Sequence, residues 1–329
     1  MKTQQCDEIV LTDFEPTENF EVEFLRGLKK TPKILPSKFF YDDRGSHLFD
    51  QICELLEYYP TRTENKILAD NIEEITSLCG PTCLLAELGS GSSNKTLWLL
   101  DHLDDPVAYV PIDISRGHLL SAATRLSERF FSLEILPVCA DYNSPLELPV
   151  PKRTPRQTVI FFPGSTIGNF LPREALQFLK QIASWCHAGD GLLIGVDLRK
   201  EKSILERAYN DVEGTTASFN LNLLSRANRE LGADFDLENF YHRAVYNEIL
   251  GRIEMHLVSD RQQCVSVCGT EIPFAENEFI TTEYSYKYSV DSFRRMVCVA
   301  GWKPIKTWTD SQHLFSVHFL RLQPQEYDR

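Results

Sequence analysis

The chain has 329 residues, 43% of them hydrophobic, and its 47 acidic against 34 basic side chains leave a net charge of −13. That is enough apolar material to bury the core of one large domain or of two interleaved ones. The acidic balance argues against a nucleic-acid partner, whose binding rests on basic contacts to phosphate, and suits a cationic or zwitterionic small substrate.

The nine cysteines are odd in number and scattered through apolar runs, which reads as free thiols packing as small hydrophobes in a reducing compartment. Cys264 and Cys268 lack the second pair that a zinc site needs, so no metal is expected. The first 18 residues are polar and acidic without the apolar stretch of a signal peptide. No run approaches the roughly 20 apolar residues of a membrane helix. The expectation is a cytoplasmic protein without a membrane partner.

In chain order, residues 1–20 read as a loosely held arm, and residues 21–30 as a short amphipathic helix closed by Pro32 and Pro36. Residues 38–68 hold a dense aromatic group (Phe39, Phe40, Tyr41, Phe49, Tyr58, Tyr59), with a helix stopping at Pro60 and another starting at Thr61. From residue 80 short apolar runs alternate with helical patterns. Strands are expected at 83–88, 108–114, 133–139, 158–162 and 191–196, with helices at 94–102, 117–130 and 172–187 between them. This alternation is the pattern of a parallel α/β sheet with helices on both faces. Glu87, Asp113, Asp141, Asn169 and Asp197 all fall at the carboxyl ends of those strands, the edge at which such sheets bind ligands.

Beyond Asp197 the pattern changes to two helices, 202–213 and 215–231, a connecting piece at 235–240, and three segments of period two at 252–258, 264–267 and 279–288. A helix at 290–300 and two strands, 302–308 and 314–320, return to the first pattern. A terminal hairpin added to a parallel sheet is common in S-adenosylmethionine (AdoMet)-dependent methyltransferases and absent from typical dehydrogenases.

The stretch from Leu84 to Lys95, LLAELGSGSSNK, is a strand, a glycine turn and a helix start. A dinucleotide fingerprint wants a third glycine where this chain has Asn94. Taken as E-x-G-x-G, the stretch fits AdoMet, which needs no phosphate cradle. Asp113 is then placed to accept from the ribose hydroxyls, and Asp141 from the adenine amino group, with Tyr142 beside the ring.

The motifs FFYDDRGSHLF, EYYPTRTE, AELGSGSSNKT, FFPGSTIGNF, RAYND, ADFD, RIEM and TEYSYKY, in that order over essentially the whole length, together resemble the histidine-specific Nα-methyltransferases of ergothioneine biosynthesis. The resemblance implies a class I methyltransferase core of Rossmann-like α/β fold (residues 63–199 and 290–329). A substrate domain of helices and antiparallel strands is implied for residues 1–62 and 200–289. It implies an AdoMet site of Gly89, Lys95, Asp113, Asp141 and Tyr142. The implied substrate site is Tyr58, Asn169, Tyr209, Glu283, Ser285, Met255, Phe49 and Gly164, with Tyr41 next to the reacting amine. The implied reaction is the threefold methylation of the α-amino group of L-histidine, through its mono- and dimethylated forms, to hercynine, by a monomer.

The residue types suit that chemistry. Transfer of a methyl from a sulfonium to a neutral amine needs alignment and desolvation. Glu283 and Ser285, two apart on a strand, face one side and can address both imidazole nitrogens. The ammonium's proton has two routes, through Tyr41 or to water before closure. Without the resemblance, Glu283 reads as a solvated strand residue and Tyr209 as an aromatic cap. Competing functions are methylation of another amino acid such as tryptophan, a non-catalytic AdoMet-binding regulator, and a nicotinamide dehydrogenase.

Overall fold

A computed structural model describes residues 11–14, 19–91, 94–144 and 146–324. Cys83–Leu88 is buried along its whole length. Both faces of such a strand are covered, which is why its sequence runs apolar without alternation. Its side chains still divide by parity: Leu84, Ala86 and Leu88 enter one core with Ile160, Phe162, Ile194 and Trp302, while Leu85 enters the opposite core with Tyr109, Val159, Phe161 and Phe319.

Around this central strand the sheet runs Thr12–Asp13, Val138–Cys139, Ala108–Asp113, Cys83–Leu88, Gln157–Phe162, Gly191–Asp197, Phe315–Leu322, Trp302–Thr309, with Glu134–Ile135 also on Ala108–Asp113. The neighbours up to Gly191–Asp197 are parallel; Phe315–Leu322 is antiparallel to both strands that flank it. The terminal hairpin therefore closes the sheet as expected, with its last strand inserted between the fifth parallel strand and its own partner. This is the class I methyltransferase arrangement.

A second sheet is built from Lys33–Ile34, Phe279–Tyr286, Arg252–Ser259 and Phe240–Asn247. The helix Thr215–Leu231 packs on it, and one apolar cluster joins Phe24, Phe39 and Phe40 from the N-terminal segment to Phe219, Leu223, Met255, Leu257 and Phe274 from the late one. Residues far apart in sequence thus share one core.

Several boundaries differ from the sequence expectations. Pro60 does not stop a helix; it lies in the first turn of Tyr59–Asp70, where its missing N–H costs nothing. The third parallel strand is broken into Glu134–Ile135 and Val138–Cys139 with Pro137 between them, since proline cannot donate to the ladder. The helix from Lys202 ends at Tyr209, and a short 3₁₀ turn, Leu237–Asn239, leads directly into the unforeseen strand Phe240–Asn247. Thr270–Phe274 and the helix Ile72–Cys79 were also not foreseen. Most of the arm expected at residues 1–20 lies outside the described residues; Thr12–Asp13 forms an edge strand on Val138–Cys139.

The helix Tyr59–Asp70 approaches the sheet closely at Gly195, where a Cβ would collide with Glu64 Oε1 and come 3.0 Å from Phe315 Cε1. Glu64 is fully buried and cannot retreat. Gly195→Ala is expected to destabilise the protein by about 1–3 kcal/mol in equilibrium unfolding; an unchanged midpoint would contradict this packing.

Candidate active site

The cofactor side forms at the carboxyl edge of the main sheet. Gly89 and Gly91 hold φ of 71° and 47°, values that glycine adopts without strain. The N–H groups of Gly89 and Ser90 both donate to Ile112 O, at 2.8 and 3.2 Å, folding the turn back over the neighbouring strand. Asp113 ends that strand. Its Oδ2 accepts from Gly91 N at 2.9 Å and its Oδ1 from Ser115 N at 2.8 Å. Burial raises its pKa against these two bonds, and a carboxylate retains further lone pairs for ligand hydroxyls. A Cβ on Gly89 would lie 3.8 Å from Tyr142 Cε1, so a side chain there would fill the cradle between turn and ring. An acid, a bare backbone turn and an aromatic edge fit the adenosine part of AdoMet.

Two expected cofactor residues carry partners that the sequence did not reveal. Asp141 Oδ2 accepts from Lys38 Nζ at 3.0 Å and its Oδ1 from Asn143 N at 3.0 Å; Lys38 also reaches Glu23 at 2.8 Å. Lys95 is ion-paired with buried Glu64, whose two oxygens also accept from Gly164 N at 3.0 Å each. Burial opposes the charge on Lys95, but the Glu64 carboxylate outweighs it and holds the ammonium above its usual value. Two of the five strand-end residues turn away from the ligand edge. Glu87 is buried and accepts from Thr96 and Tyr109 hydroxyls. Asp197 is sealed in a network with Tyr59, Lys200 and Lys287.

The residues expected at the substrate form an aromatic chain. Tyr41 meets Phe49 edge-on at 5.6 Å between centroids, Phe49 meets Tyr58 at 6.3 Å, and Tyr58 meets Tyr209 at 6.1 Å. Phe219, from the helix Thr215–Leu231, touches both Tyr41 and Phe49; nothing in its local sequence distinguishes it from a core residue. Tyr41 is placed by Asp42, which caps the helix Asp43–Glu54 through Gly45 N and is clamped by Asn222 and Arg229. Burial lifts the Tyr41 hydroxyl well above its ordinary pKa, and Glu283, Tyr142, Cys53 and Asp113 each add to the shift.

On the second sheet Met255 pairs with Glu283 and Ile253 with Ser285, with a bulge after Met255. Asn220 anchors the covering helix here, through His256 O and Thr282 Oγ1. Ser285 Oγ contacts Tyr209 OH at 2.9 Å and Lys287 Nζ at 2.7 Å. The Glu283 carboxylate has no hydrogen-bond partner among the described residues. It keeps some solvent access but is hemmed in, and burial pushes its pKa up to about 7, against the pull of Lys287. It is therefore not a solvated strand residue, nor is Tyr209, 6% exposed, a surface cap. Gly168, at the turn carrying Asn169, abuts the same strand: a Cβ there would come 2.7 Å from Tyr286 O. Asn169 ends the 3₁₀ turn Thr166–Asn169, and its carboxamide makes no hydrogen bond among the described residues.

The fold and this site define an AdoMet-dependent methyltransferase. The chain belongs to the histidine-specific, S-adenosylmethionine-dependent methyltransferase family, whose model matches residues 20–322. It is 43% identical over 290 residues to the histidine N-alpha-methyltransferase of Mycobacterium tuberculosis, covering 86% of this chain and 89% of that protein. It is 31% identical to ergothioneine biosynthesis protein 1 of Neurospora crassa, over 89% of this chain but 33% of that longer protein. It is also 28% identical to the L-tryptophan methyltransferase of Psilocybe serbica, over 93% of both chains.

The raised pKa of Glu283 has a consequence for stability. A carboxyl that holds its proton more tightly when folded stabilises the fold fully below its unfolded pKa, and that contribution is lost as pH rises through about 7. Glu283→Gln is expected to raise the stability of the ligand-free protein by about 1 kcal/mol at pH 8, a fraction of the full shift because the carboxylate retains solvent contact. The gain should shrink toward zero by about pH 5. Melts of both proteins across this range check it; a gain independent of pH would mean that the charge is not the cause.

Proposed function

We propose that this protein methylates the α-amino nitrogen of L-histidine three times at the expense of AdoMet, giving hercynine for ergothioneine biosynthesis. Mono- and dimethylhistidine are successive substrates. The proposal includes a monomer acting in the cytoplasm without a metal, a nucleic acid or a membrane. It also assigns residues 63–199 and 290–329 to the cofactor-binding core, and 1–62 with 200–289 to the substrate domain.

The observation that carries the reading is Glu283, a hemmed-in carboxylate with no protein partner among the described residues, two positions from the hydroxyl of Ser285 on one strand face. An acceptor and a hydroxyl so spaced match the two nitrogens of an imidazole. The name borne by the mycobacterial relative supports the same substrate. The tryptophan reading, which the Psilocybe relative supports, meets an obstacle in Glu283 and Ser285: indole offers one N–H and no acceptor, so a buried polar group would go unpaired at about 1–3 kcal/mol.

AdoMet, when bound, supplies a methyl group on a sulfonium. Gly89, Asp113 and Tyr142 would hold its adenosine, with Lys95 and Asp141 shaping the flanks through their ion pairs. Asn169 holds the substrate carboxylate without adding charge, and Met255 with Phe49, Tyr58, Tyr209 and Gly164 walls the pocket. Tyr41 orients the amine. Its hydroxyl stays protonated at neutral pH because burial lifts its pKa, so it donates or accepts a hydrogen bond but does not serve as the base. That favours release of the ammonium proton to water before the site closes.

Purified protein, AdoMet and L-histidine analysed by mass spectrometry are expected to give a product carrying three added methyl groups. Absence of any methylated histidine, with AdoMet bound, would point to the regulator. Glu283→Ala is expected to lower kcat/KM for histidine at least tenfold and to leave AdoMet affinity near normal; unchanged histidine kinetics would remove the specificity argument.

A further inference from the structure

Lys287 is 2% exposed and lies just past the end of the strand Phe279–Tyr286 that carries Glu283 and Ser285. Its ammonium spends its donors on three oxygens: Asp197 Oδ2 at 2.7 Å, Ser285 Oγ at 2.7 Å and Tyr209 OH at 3.1 Å. An ammonium can only donate, so both hydroxyl oxygens are acceptors toward it. The hydroxyls also touch each other, at 2.9 Å, and only one hydrogen can lie between them. The phenol is the stronger acid and the better donor, so Tyr209 gives that hydrogen to Ser285. Ser285 Oγ then has both acceptor positions filled, and its own hydrogen has nowhere to point but out of the triangle.

We propose that Lys287 is a positioning residue that makes Ser285 an obligate hydrogen-bond donor to the substrate ring. The pocket then admits a ring only in the form that gives Ser285 a bare nitrogen and Glu283 an N–H. The inference rests on the reading that Glu283 and Ser285 face the substrate's imidazole. It adds the direction of the bond and the group that sets it. A neutral imidazole supplies one nitrogen of each kind, in one of its two tautomers. An imidazolium, with two N–H groups, collides with the Ser285 hydrogen. Without the Lys287 hydrogen, Ser285 can accept as readily as donate, and the ring's orientation is no longer dictated.

The test uses L-histidine with pyrrol-2-yl-L-alanine and pyrrol-3-yl-L-alanine, each of which offers an N–H on one side of the ring and a C–H on the other. The wild type is expected to use the two pyrroles unequally, rejecting the isomer whose N–H faces Ser285. Lys287→Met should raise KM for histidine more than it lowers kcat, and should let the rejected isomer gain on histidine by about tenfold, the size of one misplaced buried hydrogen bond. Lys287→Arg, which keeps a donor, should restore the wild-type preference. If Lys287→Met does not fold, Ser285→Ala gives the same contrast, with the rejected isomer again gaining. Equal use of both pyrroles by the wild type, or a preference that survives Lys287→Met while only stability falls, overturns the proposal. If the wild type does not methylate histidine at all, the functional reading itself has failed, an outcome separate from both.

Discussion

The buried carboxylate of Asp197 is the interaction on which the arrangement depends. It ends the fifth parallel strand with no solvent exposure, and an unpaired charge there would be very costly. Its partners come from three separate parts of the chain: Tyr59 from the N-terminal segment, Lys200 from just beyond the strand, and Lys287 from the late sheet. Burial alone would raise its pKa; the two ammonium groups prevail and hold it below the usual carboxylate range. Lys200 is brought down to about 8, by burial first and by Lys287 as a like charge, against the pull of Asp197. One acid therefore fixes how the second sheet and the N-terminal helices stand on the main sheet. Lys287 extends that fixture to Tyr209 and Ser285.

A second tie couples the two halves of the site. Lys38 stands three residues before Tyr41 and reaches Asp141 on the cofactor side. The segment that carries Tyr41 is thus fastened to Asp141, after the third parallel strand. Glu64 makes a similar tie from the helix Tyr59–Asp70, linking Lys95, at the start of the helix after the glycine turn, to the backbone of Gly164. These ion pairs are partly or fully buried, where geometry and remaining hydrogen bonds decide their worth. Their effect is to keep acceptor and donor sites in one register. That is what an in-line transfer between two bound partners requires.

The same site carries groups held away from their most stable state. Glu283 and Glu87 are both raised to about 7, chiefly by burial, but only Glu87 is satisfied, by two hydroxyls. Glu87 ties the helix at Thr96 to the neighbouring strand at Tyr109. Glu283 has no hydrogen-bond partner among the described residues. The proposed substrate site would pair an unsatisfied acid with a satisfied structural one, the pattern expected where stability is traded for binding.

Sequence alone determined the parallel core, its glycine turn and the placing of Asp113 and Tyr142, because these depend on local period and on neighbours along the chain. The motif resemblance added Tyr41, Tyr58, Tyr209, Glu283 and Ser285; the structure links Tyr41, Phe49, Tyr58 and Tyr209 through ring contacts, and Tyr209 to Ser285 through a hydrogen bond. Tertiary structure alone decided which acids are sealed inside: Glu87 and Asp197 lie at strand ends just as Asp113 does, yet they turn into private networks. It also supplied Lys38, Glu64, Phe219 and Lys287, which look like ordinary surface or core residues where they stand. Their roles come from partners tens to hundreds of residues away, and no local pattern encodes a partner that only folding brings near.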